Sequence, residues 1–371
     1  MTIDRQPVSP FDQPRAEPLH KAVLVLPHIR VQNANTISSP LTWGFPSITA
    51  FTGLMTAIER RMGSDRGVAF YGVGVICHDF DPQVTRAGYV RSFHLTRNPV
   101  LGNGATAAIV EEGRAHLDIT LVFDVELVAA LLGDAERVAL ADEVGECLAG
   151  MRIAGGSVIP AMSDSSVARR PRQPYLQLIP DDGEERRKAF SRMSRRWLPG
   201  FALVSRDDLL REHVARLRKG AADATLLDAW LDLSRLNHRA VRRADSGGHG
   251  DAPIESASAT HEDERVEWLT EVRSGWTVPI PVGYAALSEL HAPGTVDGTR
   301  NPSTPFRFVE SVYSIGQWIS PHRLGDVRDL LWEPVLEAAC GLYRCVNHFR
   351  PQGTSALPIP SLAAITNNTE T

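Results

Sequence analysis

The apolar positions along the chain fall into runs whose spacing changes character. Residues 21–27, KAVLVLP, are a continuous Val- and Leu-rich run and predict a buried strand. A polar stretch over 28–45 follows, crowded with Gln32, Asn33, Asn35, Thr36, Ser38, Ser39 and Thr42 and ending in Trp43 and Phe45; it predicts a loop. From Pro46 the spacing lengthens. Ile48, Phe51, Met55, Ile58 and Met62 recur at intervals of three and four, which predicts a helix opened by Pro46 and stopped at Gly63-Ser64. Residues 67–77, GVAFYGVGVIC, predict a second strand, and residues 89–98 and 105–123 two extended segments around a Gly102-Asn103-Gly104 turn. That pair predicts a long hairpin with a protruding tip at about 86–114. A second helix is predicted over 134–151, with Val138, Ala141, Gly145 and Leu148 close to one face, and a closing strand over 155–160.

Strand, helix, strand, strand, helix, strand is the order of the ferredoxin-like fold, which is also the RRM plan. The pattern therefore predicts an α+β protein with an RRM-like core over 21–160. Prolines make 161–185 loop-like, while 199–206 predict a strand and 207–218 and 222–237 helices, so 161–238 form a basic helical and strand extension. The Gly, Ser, Ala and charge mixture of 239–265 predicts a mobile linker. Residues 266–350 are rich in aromatics, among them Trp268, Trp276, Trp318 and Trp332, and predict an elaborated C-terminal region packing on the core. Residues 1–20 and 351–371 read as a flexible lead and tail.

Composition narrows the chemistry. A 43% hydrophobic chain of 371 residues sustains a core, and a net charge of -5 confines any nucleic-acid site to a local basic patch. Four cysteines without CxxC pairs argue for neither a disulfide framework nor a metal site, and no run approaches the ~18 apolar residues of a membrane span, so a cytoplasmic protein with reduced thiols and no membrane partner is expected. GxSxG, HExxH and P-loop signatures are missing, and Gly72-Val73-Gly74 lacks the third glycine of a dinucleotide fingerprint, so no cofactor is expected. Histidines at 28, 78, 94, 116 and 322 stand either as structural residues or as an acid–base pair acting on an RNA 2′-hydroxyl.

Two stretches carry candidate binding chemistry. The amides and hydroxyls of 28–45 suit base edges and sugars, with Trp43 or Phe45 stacking on a base; equally, Asn and Ser in loops bond their own backbone, and the two aromatics suit core staples. From Arg186 to Arg196 there are six basic residues and no acid, with Lys188, Arg192, Arg195 and Arg196 on one side of a helix: a phosphate track or a solvated face.

The run VQNANTISSPLTWGFPSITAFTGL resembles the N-terminal signature of the Csy two family, subunits of the type I-F CRISPR surveillance complex in the Cas-five group. VGVICHDF, HLTRNP, TAAIVEEGRAHL, MRIAGGSVIP, RWLPGFALVSRDDLL, GWTVPIPVGYAALS and PFRFVESVYSIGQWISPHR follow in order, and the resemblance covers roughly residues 21–345. It implies an RRM-like core with a thumb-like insertion. It also implies a non-catalytic, guide-RNA-binding protein that pairs with the large subunit to cap the 5′ handle, beside the terminal copy of the repeated backbone subunit; contact with target DNA near the protospacer-adjacent motif stays open. Within the matched motifs, side-chain chemistry selects Arg30, Arg97, Arg114 and Arg152 for phosphates, extended by Arg187, Lys188, Arg192, Arg195 and Arg196. Gln32, Asn33, Asn35, Ser38 and Ser39 are selected for bases and sugars, Trp43 and Phe45 for stacking, and Arg97 with Asn98 as the thumb's polar tip. Two other readings remain: a metal-independent endonuclease processing repeat RNA, and a protein–protein scaffold whose RNA contacts belong to its partner.

Overall fold

The computed structural model describes residues 19–88, 90–97, 100, 103–159, 173–236, 238–242, 266–270 and 275–351. Its first half runs β1 (His20–Asn35), α1 (Ile48–Met62), β2 (Val68–Pro82), β3 (Val84–Ala87), β4 (Val90–Arg97), β5 (Ile109–Glu112), β6 (Arg114–Leu127), α2 (Asp134–Ala149), β7 (Arg152–Ile153) and β8 (Gly156–Ile159). The second half runs β9 (Tyr175–Leu178), α3 (Gly183–Arg196), β10 (Phe201–Ser205), α4 (Asp207–Leu217), α5 (Leu226–Ser234), β11 (His238–Arg242), β12 (Val266–Thr270), β13 (Trp276–Ala286), β14 (Val309–Ile319), β15 (Trp332–Glu337) and β16 (Leu342–Asn347). The fold is mixed α+β, and the strand pairs that build its main sheet are antiparallel.

At the centre the strands lie in the order β2-β6-β1-β8. Because side chains alternate across a strand, Leu24 and Leu26 of β1 and Leu117, Ile119, Leu121 and Phe123 of β6 share one face. There they meet Phe51, Met55 and Ile58 of α1 and Leu140, Val144 and Leu148 of α2. Ser47 caps α1 by accepting from the Thr49 amide, and Arg60 and Arg61 sit in its last turn where the helix dipole favours cations. In α2 the buried stripe is set by Leu140, Val144 and Leu148, so Val138, expected on the inner face, is 59% exposed. The opposite face of the central strands, Val23, Val25, Ile76 and Val122, is covered by Phe190 and Met193 of α3 together with Trp197 and Leu330. This explains the Gly-Val-Gly of β2: a Cβ at Gly74 would overlap the Leu330 side chain, so the bare backbone is a seat for Leu330 rather than for a phosphate.

Several boundaries differ from expectation. β1 does not end at residue 27; it continues to Asn35, keeping its pairing with β6 through irregularities at Leu26/Ile29 and Val31/Ala34, with His28 and Asn33 at φ 53° and 61°. Gln32, Asn33 and Asn35 thus sit on a strand, not in a loop. The inserted hairpin is a separate three-stranded sheet, β3-β4-β5, lying in sequence between β2 and β6. Residues 175–178, expected as loop, pair with β1, and residues 239–242, expected in the linker, pair with β12; residues 243–265 lie outside the described residues.

The C-terminal strands extend the same sheet in the order β10-β14-β13-β16-β15-β2, and β10 also pairs with β2, at Phe201↔Cys77 and Ala202↔Ile76, so six strands close into a ring. Trp332 is buried in it and donates from Nε1 to the Leu203 carbonyl at 2.9 Å. Asn347 accepts from the Ser205 amide at 3.0 Å and donates to the Asp329 and Leu331 carbonyls at 3.0 and 2.8 Å, tying β10 to β16. Outside the ring, α4 and α5 pack on β14 through Leu210, Val214, Trp230 and Ile315.

Burial, reinforced by Glu333, pushes the Asp124 carboxyl of β6 up to about 6. The folded protein therefore binds this proton more tightly than the unfolded chain does. Stability should rise as pH falls through 6 toward the ordinary carboxylate range. Asp124→Asn is expected to stabilise the protein by about 1–2 kcal/mol at pH 7.5, with the gain vanishing near pH 4. Urea denaturation at the two pH values measures it; an equal shift at both would contradict the titration.

Candidate functional site

β6 alternates Arg114, His116, Asp118 and Thr120 with Ala115, Leu117 and Ile119, so the polar set lies on the face turned away from α1 and α2. α3 covers that face as far as Val122; past Thr120 it is open. Direct strand partners share a face, so Arg30 stands beside Asp118, and Gln32, Ser157 and Arg152 form a row across β1, β8 and β7. Arg30, Gln32, Asn33 and Arg152 are exposed. The positive-φ turn at Asn33 brings its Oδ1 within 2.5 Å of Gln83 Nε2, which lies 3.1 Å from His116 Nε2. Arg114 donates to the Asn33 carbonyl at 3.5 Å and pairs with Glu112 at 2.7 Å.

Where the covered half meets the open half, His28 and His78 stack with ring centroids 4.1 Å apart and planes 29° apart. His28 Nδ1 lies 3.0 Å from Asp118 Oδ1, while His78 holds the Pro199 carbonyl through Nδ1 and the Thr120 hydroxyl through Nε2, each at 2.7 Å. Near-parallel rings do not aim two lone pairs at one point, so the His28–His78–Asp118 cluster is arranged as hydrogen-bonded packing rather than as a coordination sphere. The His28 side chain is 7% exposed, which keeps it from a 2′-hydroxyl on the surface.

Other expected residues are engaged elsewhere. Asn35 donates to the Ile37 carbonyl at 2.8 Å and accepts from its amide, Ser38 accepts from the Ser47 amide at 2.9 Å, and Ser39 bonds Thr42 at 2.6 Å; these three side chains hold the loop that leads into α1. Phe45 stacks on Phe51 at 5.6 Å and meets Trp318 edge-on at 5.0 Å, which makes it a core staple. Trp43 is 43% exposed and leans on Phe93 of β4, joining the loop to the inserted sheet. On α3, Arg187, Lys188, Arg192, Arg195 and Arg196 are exposed, but Lys188 pairs with Glu184 at 2.6 Å and Arg196 lies 4.5 Å over the Tyr175 ring. Arg97 ends β4; its side chain and the whole of Asn98 lie outside the described residues. Sequence reasoning passed over Gln83, Asp118 and Thr120. The period-two alternation of 114–120 was the signal for the β6 pair; Gln83 enters only through the bulge at Asn33.

Among the described residues no helix is long and apolar enough to cross a membrane. Over residues 24–345 the chain matches the family described as CRISPR-associated protein (Cas_Csy2). It is 44% identical over 326 residues to "CRISPR-associated protein Csy2" of Pseudomonas aeruginosa (strain UCBPP-PA14), an alignment covering 87% of this chain and 94% of the relative. The molecule is accordingly a CRISPR-associated protein. It belongs to the Csy2 family, and with it to the subunits of the type I-F Csy complex, so its partners lie within that complex.

Proposed function

We propose that this chain caps the 5′ handle of the guide RNA, together with the large subunit, as a structural and non-catalytic member of the complex. In this reading β1, α1, β2, β6, α2 and β8 are an RRM-like core, β3-β4-β5 is the thumb set beside the terminal backbone subunit, and the open half of the strand face is the RNA surface. The observation that supports it most is the convergence of Arg30, Gln32, Asn33, Arg114 and Arg152 from β1, β6 and β7 onto one open strip at the end of the sheet. Side-chain chemistry within the matched motifs selects these five, among others, at scattered sequence positions. The strip differs from a base-stacking RRM sheet in that His116 and Asp118 stand on the central strand and α3 roofs the other half, so phosphate and edge contacts carry the recognition. Base pairing between guide and target then supplies sequence specificity.

The test is co-expression with the large subunit and purification of the pair, followed by binding of a labelled repeat-derived guide across a salt series, in EDTA. The pair is expected to bind tightly, with an affinity that falls as salt rises, and to leave the RNA intact. A discrete cleavage product would favour an endonuclease, and equal binding by the large subunit alone would reduce this chain to a scaffold.

A further inference from the structure

We infer that the mouth of the six-stranded ring seats one unstacked nucleotide of single-stranded RNA, its base against an aromatic wall and its phosphate between Arg86 and Arg91. The inference rests on the RNA-binding reading above and adds a site outside the strip described there. A cleft of about 580 Å³ opens where β2, β10, β13 and β14 end, bounded by the loop at Trp43 and by the β3–β4 hairpin. That volume lies within the range of small-ligand pockets, about 300–1,000 Å³, and barrel mouths are a usual place for them.

Two features of the cleft's lining are unfavourable in themselves. The first is its wall. Trp276 meets Phe201 at 5.6 Å and Trp318 at 6.2 Å, yet Trp276 is 59% exposed, Phe201 44% and Trp43 43%. Large rings left partly in water forgo part of the stabilisation that full burial would give them. The second is the thumb's charge. Arg86 and Arg91 are direct partners across β3 and β4, both exposed and both lining the cleft, and neither makes a hydrogen bond or ion pair among the described residues. Like charges directly opposite destabilise a hairpin.

An anion between the two guanidiniums and a flat ring on the tryptophans would relieve both features at once, and a nucleotide carries both groups on one scaffold. A base gains by stacking on an aromatic side chain whatever its sequence, and arginine forks suit phosphate oxygens. Asp79 of β2 also lines the cleft and offers a carboxylate acceptor to a base edge, whereas both ring nitrogens of His78 are already held by Pro199 and Thr120. Cys77 does not compete as an anion, because burial, with Asp79 and Asp118 adding to it, pushes its thiol up to about 12.

The test uses the complete complex assembled on guides that carry 4-thiouridine at one position at a time, with crosslinked peptides mapped after irradiation. One position is expected to crosslink to the Trp43, Phe201 or Trp276 peptide. Arg86→Glu with Arg91→Glu should abolish that crosslink and weaken guide binding about tenfold. Trp276→Leu, which keeps the wall apolar, should remove the crosslink while the complex still assembles. If the wild-type complex binds its guide and no position crosslinks to the cleft, the inference is overturned while the handle reading stands. If a bifunctional protein crosslinker joins the cleft to a partner subunit and no guide position reaches it, the inference is overturned in favour of a protein occupant. Failure of the wild-type complex to bind guide at all would count against the proposed function itself. Should the charge-reversed variant not assemble, the wild-type crosslink map decides alone.

Discussion

Trp332→Ala is expected to cost about 3–5 kcal/mol of folding stability, enough to leave much of the protein unfolded at 37 °C. The indole is 1% exposed and lies in the same buried cluster as Leu203, Ile280, Val282 and Trp318, so its removal opens a cavity that side chains on β10, β13 and β14 cannot all move to fill. It also strands the Leu203 carbonyl, whose partner is the indole N–H. An unsatisfied buried acceptor adds a penalty of about 1–3 kcal/mol. Trp332 is also the residue at which β15 pairs with β2, opposite Val73; with the β10–β2 pairing it is one of two strand ties between the ring's C-terminal strands and the central ones. Trp332→Phe separates the two contributions: it keeps most of the volume, loses the hydrogen bond, and should cost about half as much. Urea denaturation of the purified chain measures both. A loss under about 1 kcal/mol for the alanine variant would mean that the ring does not depend on this tie.

Replacing Arg30, Arg114 and Arg152 together with alanine is expected to weaken handle binding on the order of 100-fold near 0.15 M salt and to lower the salt slope by about 2. The three residues come from β1, β6 and β7, and two of them have no counter-charge within pairing distance among the described residues; Arg114 is held by Glu112. Each contact to a single-stranded phosphate releases about 0.7 of a counterion, so three contacts give a slope change of about 2. Fold stability should change little, because surface arginines contribute little to it. The α3 set Arg187, Arg192 and Arg195, replaced in the same way, provides the comparison. If the α3 variant loses more affinity than the strip variant, the RNA runs over the helix and not over the open strand face. An unchanged salt slope in both would move the RNA to the partner subunit.

Much of the helical part was legible along the chain. Ile48, Phe51, Met55 and Ile58 announce α1 through spacing alone, since a face that must be buried repeats with the helix period. The first half of β6 is equally plain, because 114–119 alternate between partly exposed and buried positions, a period of two, before the strand becomes buried on both faces at 120–123. The polar stretch after residue 27 was harder. Pairing there persists through two bulges whose positive-φ positions are His28 and Asn33, and nothing in their composition signals that a strand survives them.

What the chain order concealed depends on contacts between distant segments. Gly72-Val73-Gly74 stands out as a motif, but what holds Gly74 bare is Leu330, and what crowds Gly72 is the start of β15, both brought there by the fold. Asn35, Ser38 and Ser39 have the chemistry to read RNA, and the folded loop takes up their hydrogen bonds instead. Arg86 and Arg91 become a pair only once the β3–β4 register sets them opposite each other, and Phe201 and Trp276 become a wall only once β10 closes on β2. The local period of burial was enough to assign a mixed α+β fold and the two core helices, and side-chain chemistry within the matched motifs named the arginines worth testing. The ring, its mouth and the choice among polar side chains came from long-range pairing, because which hydrogen bonds remain free for a ligand is known only after the protein has satisfied its own.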